Sequence, residues 1–154
     1  YIGDWSSDVC SSDLKGEDLI KDFEGCRLTA YRDQRGVWTC GWGATGPDVT
    51  AKTRWTQEQA DARLDRDIEI RAAQLTQFLD NAPTTQNQFD ALLSLGYNIG
   101  MGALHNSTAL KKHVQGDHAG AAKAILMWDK VAGRANPRLA RRRKAEHDLY
   151  LSEE

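Results

Sequence analysis

Two helix-start signals, with one proline between the segments they open, constrain this chain most. Thr56 is followed three residues later by Gln59, and Thr85 by Gln88. In each box the threonine hydroxyl takes the N–H of the third helical residue, and the glutamine side chain reaches back to the threonine N–H. Behind Thr56, residues Ala60, Leu64, Ile68, Leu75 and Leu79 recur at helical spacing as one apolar stripe. That helix must stop before Pro83, which has no N–H to give and restricts the residue before it. About twenty-four residues span roughly 36 Å, more than a small lobe needs, so the spacing predicts a helix that bridges two lobes. The second box opens an apolar helix through Phe89, Leu92, Leu93 and Tyr97, with Gly96, Gly100 and Gly102 read as punctuating its end.

The flanking segments complete the pattern. Leu19, Ile20 and Phe23 share a helical stripe that should end near Gly25. Leu28 to Gly43 reads as a β-hairpin turning through Asp33-Gln34-Arg35-Gly36. A period of two puts Trp38, Cys40 and Trp42 on one face of its second strand and Val37, Thr39, Gly41 and Gly43 on the other. A face that is bare beyond Thr39 expects something packed close against it. Further on, Ser107, Asp117 and the Asn136-Pro137 pair are capping candidates for three more helices, the first closed by Gly116. The order is helix, small sheet, then helices only, which is an α+β chain with a mostly helical second lobe.

Residues Tyr1 to Leu14 fit none of this. YIGDWSSDVCSSDL repeats SSD, has neither helical nor strand period, and lacks the features of a secretory signal. It resembles translated sequencing-adapter sequence and is read as a non-native or disordered tail, residues 15–154 being expected to form a single two-lobed catalytic domain. The chain of 154 residues has 40% hydrophobic and 27% charged side chains, outside the disordered class. No apolar run approaches the ~20 residues of a spanning helix, so no stable membrane insertion is expected. The net charge of −2 conceals an acidic portion, residues 1–110 with 16 acidic and 10 basic side chains, and a basic one with 6 and 10. Three cysteines cannot make a disulfide scaffold.

The candidate chemistry lies where the first helix meets the hairpin. Glu24 stands at the helix end, Asp33 in the turn and Thr39 on the bare strand face, so all three can converge. Two carboxylates in different settings are what glycosidic cleavage needs: one to protonate the leaving oxygen, the other to activate water. Taken alone the pair is weak, because a chain with 22 acidic residues holds many such pairs. A solvated helix-end charge and an ordinary turn aspartate then outweigh the catalytic reading.

The full string is more specific. Glu24-Gly-x-Arg-Leu-x-x-Tyr-x-Asp33, five residues, then Thr39-x-Gly-x-Gly43 resembles the active-site region of the phage-type lysozymes, the endolysin muramidases of tailed bacteriophages. The resemblance extends over most of residues 17–151, through Thr56 to Ile68, Phe89 to Gly100, Leu104-x-Asn-Ser-Thr108, and Met127-Trp128 followed by Arg138 to Glu146. It implies a lysozyme-like α+β fold, with a small β-sheet lobe and a larger helical lobe joined by a long helix. It also implies hydrolysis of the β-1,4 bond between N-acetylmuramic acid and N-acetylglucosamine in peptidoglycan. Glu24 would be the acid, with Asp33 and Thr39 positioning water. An inverting enzyme expects its carboxyls ~6.5–9.5 Å apart. Thr45, Tyr97, Asn106 and Ser107 are expected substrate contacts, Tyr97 being equally readable as a core aromatic.

Peptidoglycan strands are the expected partner of a monomer that waits in the host cytoplasm and then acts on the periplasmic wall, its export route left open. Alternatives are a lytic transglycosylase, which needs only one acid/base glutamate, and a non-catalytic wall-binding module. One position departs from the family, which usually has histidine where Ala44 stands, often paired with an aspartate on the long helix. Asp67 is therefore expected to be exposed or bonded to an arginine such as Arg63, Arg66 or Arg71. Cys26 and Cys40 are read as small apolar positions in preference to a disulfide, and Trp38 and Trp42 as core in preference to sugar platforms. The four histidines show no ligand spacing, so no metal or cofactor is expected. The run Arg138, Arg141, Arg142, Arg143 and Lys144 is read as a solvated or salt-bridged helix face, with no nucleic-acid partner.

Overall fold

The computed structural model of the protein describes residues 15–153; the tail assigned to residues 1–14 lies outside the described residues. Helix α1 (Lys15–Glu24) ends at Gly25, whose φ of +67° turns the chain into the sheet lobe. Strands β1 (Arg27–Arg32) and β2 (Trp38–Gly41) pair antiparallel, and the Gly36 N–H donates to the Asp33 carbonyl to close the expected turn. Residues 53–55 run along the other edge of β1, with Ala30 N–H to Thr53 O at 3.0 Å and Trp55 N–H to Leu28 O at 2.8 Å. Cys40 of β2 is fully buried and Trp42, in the turn that follows the strand, packs against the core, but Thr39 on the opposite face is buried as well, at 3% exposure. Trp38 is only half-buried, with Arg32 over its ring. Cys26 and Cys40 are free thiols.

The long helix is α2 (Gln57–Leu79), and both halves of its Thr56 capping box are formed. All five residues of its expected apolar stripe are at most 1% exposed. Helix α3 (Gln86–Ile99) also starts at a complete box, and every residue from Asn87 to Tyr97 is buried, so α3 is the axis of the helical lobe. Gly96 does not end it. A Cβ there would come within 2.7 Å of Met101 Sδ and 2.8 Å of Leu104 Cδ2, so glycine lets the next turn fold back onto α3, and Gly100 makes the actual stop. Around α3 lie α4 (Met101–His105), α5 (Thr108–Val114), α6 (His118–Ile125) and α7 (Pro137–Leu151). Ser107, Asp117 and Asn136 cap the last three as expected.

Two expectations need correction. The second half is not helices only, because β3 (Lys130–Val131) and β4 (Arg134–Ala135) form a hairpin before α7. Its turn places Ala132 at φ +50° and Gly133 at φ +79°, the pair of positive angles that matches strand twist. Alanine seldom adopts that conformation, so the pair carried no turn signal. The basic run on α7 is a solvated face only at Arg138, Arg141 and Lys144; Arg142 and Arg143 are salt-bridged, as the alternative had it, but inside the protein, at 3% and 0% exposure. They lie on the inward stripe with Glu146 and Tyr150, and only Lys144 keeps a surface pair, with Asp148.

A buried histidine closes the far end of this lobe. Thr84 Oγ1 donates to the Ala82 carbonyl, so it must accept from His113 Nε2 at 2.8 Å, which leaves Nδ1 to accept from the Tyr150 hydroxyl at 2.5 Å. The neutral ring is therefore specified. Burial, aided by His118 stacked 5.3 Å away, pushes His113 from 6.5 down to about 4. Between those values the unfolded chain binds the extra proton, so this contribution to stability is complete above pH 6.5 and lost as pH falls towards 4. Denaturant unfolding should show that loss, and His113→Gln should remove the His113-dependent part of the slope.

Candidate active site

A cleft of about 610 Å³ runs between the sheet lobe and the start of α7. Glu24, Asp33 and Thr39 all line it, from the last residue of α1, the β1–β2 turn and the middle of β2. Glu24 Oε2 accepts from Arg142 Nη1 at 2.6 Å. Its other oxygen faces Gly43, where a Cβ would stand 2.5 Å from Oε1, and the residue's φ is +82°. Gly43 lies in the turn after β2, not on the expected bare strand face, and its missing side chain makes room for the Glu24 carboxyl, whereas Gly41 makes room for Trp55 and Ala60. Asp33 Oδ1 accepts the N–H groups of Arg35 and Val37 at 2.8 and 2.9 Å, which holds the side chain across its own turn. Thr39 spends its hydroxyl hydrogen on the Val37 carbonyl at 2.9 Å, so towards the cleft it offers only lone pairs.

The other expected contacts divide. Thr45 and Tyr97 line the same cleft, but Tyr97 is only 9% exposed, gives its hydroxyl to the Trp42 carbonyl at 2.8 Å and belongs mainly to the core. Burial, and then the nearby Glu24 and Asp67 charges, push its phenol well above the usual range. Asn106 and Ser107 do not reach the cleft: Asn106 lines a separate hollow with Phe78 and His105, and Ser107 is buried as the α5 cap. Their polar sequence signal belonged to a helix junction.

Sequence reasoning missed the group that holds Glu24. Arg142 also lies 3.3 Å from Glu146 and donates to the Ser94 carbonyl, while Ser94 Oγ donates to Glu146 at 2.5 Å. Arg143 is 2.9 Å from Glu146, without hydrogen-bond alignment, and donates to Asn98 at 2.7 Å. Burial lowers Arg143 to about 10, against the opposing pull of Glu146. Burial likewise raises Glu146, opposed by Arg143 and Arg142. The missed signal was helical phase: with Asn136-Pro137 fixing the start, positions 142, 143, 146 and 150 share one stripe.

Asp67 is buried, at 6% exposure, and bonded as expected. Arg63 Nε lies 3.1 and 3.0 Å from its two oxygens, and Arg71 and Arg66 stand at 3.8 and 4.0 Å. The same Arg63 donates to Asp48 at 2.6 Å and to the Thr45 carbonyl at 2.7 Å. It thus clips the cleft-lining loop to α2, and buried Ala44 pairs with Cys40 in the place where the family usually has histidine.

Residues 21–146 match the family model for phage lysozyme. The chain belongs to the phage lysozyme family. It is similar to the endolysin of Acyrthosiphon pisum secondary endosymbiont phage 1, 45% identical over 145 residues that cover 90% of this chain and 96% of the relative. The endolysin of Lactococcus phage c2 is 41% identical over 137 residues, 88% of this chain but only 58% of that longer protein. In three dimensions the chain resembles the endolysin from Escherichia coli O157:H7 phage FAHEc1, with a TM-score of 0.78, 40% identity, and coverage of 92% and 94%.

For this phage lysozyme family member, Gly43→Ala should drive the Glu24 carboxyl out of position. Wall-clearing rate should fall at least tenfold, with stability lowered by only about 1–2 kcal/mol. Arg63→Ala leaves Asp67 with more distant partners and frees the loop. Denaturant unfolding should show a loss of roughly 1–3 kcal/mol.

Proposed function

We propose that this family member is an inverting muramidase of the endolysin type, with Glu24 as general acid and Asp33 and Thr39 as the groups that hold and activate water. The bond cut is the β-1,4 link between N-acetylmuramic acid and N-acetylglucosamine. The observation that carries the proposal is the meeting of these three side chains in one cleft, each with one polar atom already committed to the protein. Arg142 occupies Glu24 Oε2, so Oε1 is the atom left to carry the proton to the leaving oxygen. As that proton departs, the guanidinium stabilises the carboxylate that forms. Two backbone N–H groups occupy Asp33 Oδ1, so Oδ2 remains to take a proton from water. Thr39 accepts that water's other hydrogen, because its own is bound to Val37. Water then attacks the anomeric carbon as the glycosidic bond breaks on the opposite face, and configuration inverts.

Residues 15–154 act in this reading as one catalytic domain and as a monomer. The chain works on the host cell wall, reached from the cytoplasm at lysis. Among the described residues no helix is long and apolar enough to cross a membrane.

General acid catalysis contributes typically 10²–10⁴-fold. Glu24→Gln should therefore lower wall clearing by about 100-fold or more while wall pelleting is retained. The wild-type product should carry a reducing end that is first released as the α-anomer. A 1,6-anhydro product would replace hydrolysis with transglycosylation and leave Asp33 and Thr39 without a role; activity in Glu24→Gln equal to wild type would remove the acid from the mechanism.

A further inference from the structure

The charges that line the cleft are unbalanced. Seven cationic side chains face it against two carboxylates, Glu24 and Asp33. Four of the seven have carboxylate neighbours: Arg142 at Glu24, Arg35 at Asp33, Arg71 at Asp67 and Lys130 at Asp129. Among the described residues Arg27, Arg32 and Arg138 form no ion pair. Arg27 lies 4.5 Å from the centre of the Tyr31 ring, which orients its guanidinium without neutralising it. Arg138 reaches across from α7 to donate one N–H to the Phe23 carbonyl, immediately before Glu24, and keeps its other donors. Arg27, at the start of β1, and Arg138, in the first turn of α7, thus line the cleft that holds Glu24 and Asp33 from its two sides.

We propose that Arg27 and Arg138 bind a carboxylate of the glycan substrate and make the cleft selective for acid-bearing strands over neutral ones. This rests on the muramidase reading above. A peptidoglycan strand offers carboxylates from two sources: the lactyl group of each muramic acid where no peptide is attached, and the stem peptide where one is. A polymer of N-acetylglucosamine has the same β-1,4 backbone and no acid. Planar guanidinium groups match carboxylate geometry, and two on opposite walls would fix the strand's register across the cleft.

The test uses binding, so it stays separate from turnover. In the Glu24→Gln background, calorimetry would measure affinity for three soluble oligosaccharides of equal length: neutral N-acetylglucosamine; the alternating muramic acid strand with free lactyl acids; and the same strand with stem peptides attached. At least one acid-bearing probe should bind roughly tenfold tighter than the neutral one at low ionic strength, with the advantage shrinking as salt is added. Whichever acid-bearing probe has the advantage identifies the source of the carboxylate. Adding Arg27→Gln and Arg138→Gln together should bring acid-bearing and neutral affinities within about twofold of each other. Arg138→Lys, which keeps the charge, should retain most of the preference. Exposed Lys123 on α6, outside the cleft, supplies a control in which Lys123→Gln changes net charge equally and should leave the preference intact. Equal affinity for all three probes would overturn the proposal, as would a preference that Lys123→Gln erodes as much as the arginine changes do. Wild type that cleaves no strand, with the binding preference intact, would instead count against the muramidase reading alone.

Discussion

Arg142 brings a charge into the interior where α1, α3 and α7 meet, and the geometry of the cleft depends on how that charge is satisfied. It pairs with Glu24 at the end of α1, with Glu146 one turn along its own helix, and with the Ser94 carbonyl on α3. A buried charge is tolerated only when partners replace the water it has lost, and removing one partner of such a set is strongly destabilising. The helices are therefore constrained to positions that satisfy the set, and Glu24 is one of the atoms that complete it. The Glu24 carboxylate of the cleft and the packing of the helical lobe share one interaction.

The sheet lobe is tied down by a second, separate arrangement. Arg63 on α2 holds Asp67, Asp48 and the Thr45 carbonyl at once, so the loop beyond β2 follows the long helix. Arg63 supplies the cation that Asp67 would lack with Ala44 standing where the resemblance leads one to expect histidine. Its charge does not titrate in the physiological range, so this attachment is indifferent to pH, unlike the His113 contact at the other end of the molecule. Gly43 completes the arrangement by bringing backbone to the Glu24 carboxyl at a distance that no side chain permits.

Much of this was legible locally. The two capping boxes, the Asn136-Pro137 start and the turn at Asp33 specify their elements through contacts within four residues, and those contacts formed as read. The convergence of Glu24, Asp33 and Thr39 was also readable, because a helix end followed by a short hairpin leaves little freedom. The β3–β4 hairpin was not, since Ala132 takes an angle against its own preference and four strand residues carry no period. Asn106 and Ser107 were misplaced because a polar pair between helices reads alike whether it caps a helix or meets a ligand.

The sequence by itself determined the elements, their order, the apolar faces that must meet and the three chemical groups at the first helix and hairpin. Those follow from hydrogen bonds and side-chain periods that act over a few residues. Tertiary structure alone decided that Arg142 and Arg143 go inside, that Arg27 and Arg138 line one cleft without an ion pair among the described residues, and that Gly96 serves packing where it was read as a stop. A charged or small residue is compatible with either fate until the elements around it are brought together. Which fate it takes depends on partners separated by up to 118 positions along the chain, as Glu24 and Arg142 are.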